Sequence, residues 1–253
     1  MKNLINCMKS DSYKLIHTRI LLVHLLAPLI AIAVFCGYYS YSGWTETSKI
    51  LVYIQVVAFA FPFLISIVTT MLYEQETNAG HFQPILTVPF SKLLPHISKV
   101  ITLAMFGLLS CMLTIVGFGI IFRSMGFTTV PLALYLKVSL LLFMTNIGLY
   151  LLQYLVAFRL GHGLSLGFGI FGTVLSLLLY LVIGDQIWRF IPFGWGIRMS
   201  SYYMMQHIST SVPNVVVNDY SQGKIIVFVL TGFIFLVFLL FNSLWQGNSN
   251  HSE

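Results

Sequence analysis

The chain has 253 residues, of which 58% are hydrophobic and 8% are Asp, Glu, Lys or Arg, with a formal net charge of +6. A water-soluble domain carries roughly 25% charged residues, so this composition excludes a soluble globule and describes an integral membrane protein. The positive charge is small and contains no dense basic run, which excludes a nucleic-acid-binding surface; it fits the bias of basic residues to one side of a bilayer and contact with anionic membrane lipid.

The chain opens on a polar, basic arm, residues 1–19. Leu4, Met8, Leu15 and Ile16 can share one helical face there, with Lys2, Lys9 and Asn6 mostly elsewhere, the pattern of a helix lying in the membrane interface. No cleavable signal is recognisable, because the apolar run after the arm is long enough to span. Six apolar stretches follow, at 20–39, 50–73, 100–122, 132–158, 164–183 and 225–245. Each reaches or approaches the ~20 residues that carry a helix across ~30 Å of hydrocarbon. They are continuous runs and not short alternating ones, which excludes a β-barrel. The expected fold is a single all-α membrane domain over residues 1–253, with six transmembrane helices.

Six spans place both termini on one side. Lys2, Lys9, Lys14 and Arg19 against Asp11 put that side in the cytoplasm. Elsewhere the asymmetry is weak: Lys92, Lys99 and Arg159 fall inside, but Lys49, Arg123, Arg189, Arg198 and Lys224 fall outside. The longest outer loop, 184–224, carries Trp188, Phe190, Phe193, Trp195, Tyr202 and Tyr203, aromatic residues suited to the headgroup level, and short segments of it can dip into the membrane. The tail 246–253, GNSNHSE with the preceding glutamine, reads as disordered.

The inner segment 74–99 is the polar anomaly. Glu74 and Glu76 follow the second span directly. Two residues apart on a helix they point about 200° apart, so shared acid–base catalysis is the weaker reading. Pairing with Lys92, Lys99 or a partner's arginine is the better one, and a solvated loop is the plain alternative. Gly80 to Pro95 reads as a short helix and a turn. Pro84 suits a first helical turn, and Ile85, Leu86 and Val88 form an exposed apolar knob. Pro89 ends the helix, and Ser91 caps the next element before Lys92. Such an element can dock in a partner's groove and pass its motion to the spans.

Gly163 and Gly167 form a G-x-x-x-G at the start of the fifth span, a spacing that lets helices approach closely. Polar groups inside the spans are few: His24, Gln55, Asn146, Gln153 and Lys137. Lys137 reads as snorkelling outward and His24 as a neutral, hydrogen-bonded packing residue. No Asp or Glu lies in a span, which argues against a proton- or sodium-driven carrier. Cys7, Cys36 and Cys111 show neither metal-ligand nor disulfide spacing. No G-x-x-x-x-G-K-[ST] and no H-E-x-x-H occurs, so the chain has no phosphate-cradling loop and no zincin site of its own. If it pumps, a partner or an ion gradient drives it.

Six spans, a basic interfacial arm and the pattern E-x-E-x-x-x-G-x-x-x-x-(I/L)-L-x-x-P-x-S-K, carried by Glu74, Glu76, Gly80, Ile85, Leu86, Pro89, Ser91 and Lys92 with Lys99 beyond, resemble an ABC-2-type transporter permease. The wording NAGHFQPIL and IPFGWGIR, with the chain length and the lack of a fused ATPase, is similar to the lantibiotic-immunity permeases of the MutG/EpiE type. The resemblance implies that 74–99 is a cytoplasmic coupling loop resting on a dimer of separate ABC ATPase subunits, which bind ATP and Mg. It implies a second permease subunit, homologous or identical, no cofactor or catalytic residue in this chain, and residence in a bacterial cell membrane. The implied role is self-immunity by expulsion of a lantibiotic or bacteriocin peptide. The alternatives are export of another amphipathic drug or lipid, and an immunity or sensor protein that works without an ATPase.

Overall fold

A computed structural model of the chain describes residues 2–209 and 211–245. In chain order it contains α1 (Lys2–Ile16), α2 (Arg19–Tyr39), α3 (Glu46–Asn78), α4 (Gln83–Leu86), α5 (Leu93–Ser124), α6 (Leu132–Leu160), α7 (His162–Tyr180), two short 3-10 turns (Val182–Gly184 and Trp188–Phe190), α8 (Pro192–Ile208) and α9 (Asn214–Ser243). The described residues contain no strand. The helices α2, α3, α5, α6, α7 and α9 are long and apolar enough to cross a membrane, and each expected span is centred on one of them. The expected tail 246–253 lies outside the described residues.

In hydrocarbon every backbone polar group must be satisfied within its own helix, which is why apolar runs of this length become uninterrupted helices. Helix α6 is the hub and packs against α3, α5, α7, α8 and α9. Helices α2 and α9 are peripheral and turn Ile30 and Val34, and Phe228 and Phe233, outward. The polar side chains inside the spans find local partners. Gln55 donates to the Tyr180 hydroxyl at 2.6 Å, Thr70 to the Ser165 hydroxyl at 2.9 Å, Asn146 to the Leu142 carbonyl and Gln153 to the Ser165 carbonyl. Lys137 is exposed, and His24 is buried with Nδ1 on the Ile20 carbonyl.

The structure departs from expectation in three places. The segment 184–224 is not an irregular loop with open aromatic side chains. It holds the 17-residue helix α8 and the first third of α9, and α8 is inserted between α3, α6, α7 and α9. Trp188 and Trp195 are fully buried, and Phe193 and Tyr202 nearly so; only Phe190 of this set stands open. Small residues permit the insertion: Gly196 lies against Asn146, and a Cβ at Gly172 would collide with the Phe193 ring. The glycines, serines and arginine that make α8 too polar to read as a span are what let it fit a protein interior.

Second, Gly163 and Gly167 are exposed and bring no helix close within the chain. The close approach of α7 to α3 falls at Gly169, where a Cβ would collide with the Ser66 hydroxyl. Third, the inward face of α1 carries Leu4, Met8 and Leu15 as expected, but Ile16 is exposed and Asp11 is buried on that face in its place.

Four cations at the end of the bundle remote from α4 are engaged. Lys49 donates to the Tyr39 carbonyl at 3.0 Å, closing the C-terminus of α2, and lies over the Phe127 ring. Arg123 donates to the Val130 carbonyl. Arg198 of α8 donates to the Leu179 and Leu181 carbonyls, both at 2.8 Å, to Asp185 and to the Tyr202 hydroxyl, so its guanidinium caps α7. Arg189 joins Asp219 and Gln222 of α9.

Candidate functional site

Helix α3 has 33 residues, about 50 Å at 1.5 Å per residue, and overshoots a ~30 Å hydrocarbon core. Its projecting end carries Glu74 and Glu76, which diverge as the helical period requires: Glu74 is exposed and makes no ion pair among the described residues, whereas Glu76 is fully buried. Paired-carboxylate catalysis has no geometry here.

Glu76 is the centre of a buried ion cluster. Its Oε1 accepts from Lys99 of α5 at 2.7 Å and from Lys14 of α1 at 3.0 Å. Lys99 also reaches Asp11 of α1 at 2.9 Å, and Ser98 donates to the second Asp11 oxygen at 2.5 Å. Two carboxylates and two ammoniums cancel, which is what permits burial; charges withdrawn from water cost several kcal/mol each unless paired and hydrogen-bonded. The cluster ties α1, α3 and α5 together at the foot of the 79–92 segment. The expected pairing of Glu76 with Lys99 is present, and Lys92, half-buried, makes no ion pair among the described residues. Asp11 and Lys14 were not singled out from the sequence. The signal was an acid on the face shared by Leu4, Met8 and Leu15, where an apolar residue belongs.

The segment leaves α3 through Gly80, His81 and Phe82, all left-handed at φ 109°, 49° and 65°. The His81 and Phe82 amides return to the Thr77 and Glu76 carbonyls and close the helix end. Left-handed backbone at two non-glycine residues costs of order 1–2 kcal/mol each. Burial of Phe82 against Tyr73, Phe158 and Trp245 offsets it, with ring centroids 5.2–5.8 Å apart. His96 completes this aromatic box, with Nδ1 on the Tyr154 hydroxyl at 2.6 Å and its ring 4.9 Å from Trp245.

Pro84 occupies the first turn of α4, as expected. The apolar knob is placed differently: Ile85 is buried and Leu86 and Val88 half-buried, and the exposed tip consists of Gln83, Pro84, Thr87 and Pro89. The four-residue helix stops at Leu86, ahead of Pro89, and Ser91 accepts from the Leu93 amide at 3.4 Å as α5 begins. Ile85 turns inward because α1 lies beneath it; Asn3, Asn6 and Cys7 of α1 share a cavity of about 260 Å³ with Ile85 and Glu76. Burial, joined by Asp11, pushes the Cys7 thiol above its ordinary range, and Lys99 opposes this. A short, rigid element thus stands on an ionic foot, with a small polar tip presented to whatever lies beyond the bundle.

The sequence pattern of the ABC-2 family transporter protein matches residues 7–176, two thirds of the chain, from the second turn of α1 to one turn before the end of α7. The chain belongs to the ABC-2 transporter family. As an ABC-2 protein it is a multi-pass membrane component of a transporter, in a family of permeases that work with an ABC ATPase. The matched region holds all four charges of the ion cluster and all of α4, and stops before α8. No curated protein matches the chain.

Proposed function

We propose that this ABC-2 chain is the permease subunit of an ATP-driven exporter that gives its own cell immunity by expelling a lantibiotic or bacteriocin peptide from the membrane. The observation that carries the transport part is the ionic foot under α4. An element whose tip is exposed and whose root is fixed to three helices through Glu76, Lys99, Asp11 and Lys14 moves α1, α3 and α5 when its tip is pushed. A separate ATPase dimer holds ATP and Mg and does the pushing, at Gln83, Pro84, Thr87 and Pro89. A second permease subunit completes the transporter, and Gly163 and Gly167, open on α7, are available to it.

Both termini are cytoplasmic in this reading. Lys49, Arg123, Arg189, Arg198 and Lys224, which blur the charge asymmetry, are engaged with carbonyls, carboxylates or rings, whereas Lys2, Lys9 and Arg19 of the arm make no ion pair among the described residues. The peptide cargo rests on the likeness of NAGHFQPIL and IPFGWGIR to lantibiotic-immunity permeases. The first forms the turn into α4 and the second opens the buried α8.

The test is protection of a lanthipeptide-sensitive host by the chain co-expressed with a partner ABC ATPase. Thr87→Arg at the tip should abolish protection, at least tenfold in inhibitory concentration, while membrane insertion stays normal. Full protection by this variant would refute the lever. Protection that survives inactivation of the ATPase would identify an ATPase-independent immunity protein. Resistance to another amphiphile in place of the peptide would identify a different exporter.

A further inference from the structure

A slot of about 460 Å³ runs between α2, α3 and α5, remote from the ion cluster. It extends from Val23 to Phe35 along α2 and from Val56 to Val68 along α3, about 18 Å at 1.5 Å per residue. That is close to one leaflet of hydrocarbon, roughly half of ~30 Å. No Asp, Glu, Lys or Arg lines it, and it opens past the exposed Ile30 and Val34 toward the bilayer.

One end is different. His24 of α2, Gly107 of α5 and Tyr150 of α6 meet there. Tyr150 is 4% exposed, yet its hydroxyl makes no hydrogen bond among the described residues. It lies where a Cβ on Gly107 would stand, so the glycine is what admits it to the slot. His24 donates Nδ1–H to the Ile20 carbonyl, which leaves Nε2 as an acceptor. The Tyr150 hydroxyl lines a largely apolar slot and is free to donate to an acceptor from outside the chain. One turn toward the arm, on the same α2 face as the slot-lining Val23, lies Arg19, exposed and without an ion pair among the described residues. Cation, hydroxyl donor and apolar slot follow one another in the order phosphate, ester carbonyl, hydrocarbon chain.

We infer that this slot binds one acyl chain of an anionic glycerophospholipid of the surrounding bilayer. Arg19 faces the phosphate, the Tyr150 hydroxyl donates to the ester carbonyl, and the chain lies between α2 and α3. The small residues Ala27, Ala31 and Ala60 leave its width open. Pro28 of α2 and Pro62 of α3 each remove a helical hydrogen bond beside the slot. Both walls can therefore open for the chain to enter sideways.

The full-length chain, reconstituted in phosphatidylcholine nanodiscs, is doped with phosphatidylglycerol bearing a diazirine in its acyl chain, irradiated and mapped by mass spectrometry. Labelling of slot residues should exceed that of the exposed face of α9 at least fivefold. Arg19→Gln should cut slot labelling about fivefold, the scale of one basic residue at a membrane surface. Tyr150→Phe, which keeps the ring, should cut it about three- to tenfold, the scale of one hydrogen bond. Ala60→Phe should abolish it. Even labelling of α2 and α9, or slot labelling indifferent to both Tyr150→Phe and Ala60→Phe, overturns the site. Equal slot labelling by the matching phosphatidylcholine probe overturns the anionic head. Displacement of the label by a lanthipeptide at stoichiometric amounts would assign the slot to cargo and overturn the lipid. Neither ATP nor an ATPase is present, so the outcome is independent of whether the chain exports anything.

Discussion

Replacing Glu76 by Gln removes the acceptor shared by Lys99 at 2.7 Å and Lys14 at 3.0 Å. At an effective dielectric of ~20 each contact is about 5–6 kcal/mol of gross attraction, most of it offset by the cost of desolvating the charges. The net loss expected on removing one member of a buried pair is about 3–5 kcal/mol. The variant also leaves the cluster with one uncompensated positive charge, because Asp11 alone faces two ammoniums. With ~2–4 °C per kcal/mol for a chain of this size, apparent melting in nanodiscs should fall by roughly 6–20 °C. Lys99→Gln should cost a similar amount. The double variant restores net neutrality to the cluster, with one carboxylate (Asp11) and one ammonium (Lys14) left, so it should be more stable than the sum of the two single losses by about 2–3 kcal/mol, within the range of coupled neighbours. The assay is a double-mutant cycle read by thermal loss of the monodisperse peak. Additivity within ~0.5 kcal/mol would mean that the two charges do not act as one cluster, and the account of α4's foot would fall with it.

Three further outcomes are expected. Arg198→Leu leaves the α7 carbonyls uncapped and should cost about 3–6 kcal/mol from two charge-assisted hydrogen bonds. The Asp185 contact adds little, because that carboxylate is half exposed. Arg198→Lys should recover less than half, since one ammonium cannot serve two carbonyls, a carboxylate and a hydroxyl together; full recovery in a melting assay would contradict the capping role. Trp245→Ala empties the aromatic box under Phe82, a large-to-small change of about 3–5 kcal/mol. Hydrogen exchange should accelerate at least tenfold in 79–92 and stay unchanged in α8; unaltered exchange in 79–92 would show that the box does not hold α4. Cys7 is only half-buried, while Cys36 and Cys111 are buried. On a background lacking those two, alkylation of Cys7 should still be rising at pH values where an ordinary thiol has levelled off. Asp11→Asn removes a negative charge that opposes the thiolate and should shift the profile to lower pH; a shift upward would place Asp11 elsewhere.

The six spans were legible because length and hydropathy decide whether a segment can leave water, and both are local properties. The pairing of Glu76 with Lys99 was legible because few charges stand near that membrane exit. Helix α8 was not, since its amphiphilic, glycine-bearing sequence becomes an interior helix only once α3, α6, α7 and α9 supply a polar-tolerant socket. Ile85 was misjudged for a related reason: it faces a cavity shared with α1, some eighty residues earlier in the chain, and no window around α4 contains that fact. Asp11 carried a visible anomaly, an acid on an apolar face, but its partners are non-local. Gly163 and Gly167 have the spacing of a contact, while the contact within the chain was built at Gly169, where Ser66 happens to face.

The ionic foot also imposes an order of events on the making of the protein. Asp11 is synthesised 88 residues before Lys99. At about 5–20 residues per second, the arm waits roughly 4–18 s after its own emergence before that ammonium is even polymerised. During that interval α2 and α3 enter the bilayer beside an arm that has no counter-charge from the third span. The N-terminal element therefore cannot settle before the third span is made, and its docking reports that the first three membrane helices have arrived in register.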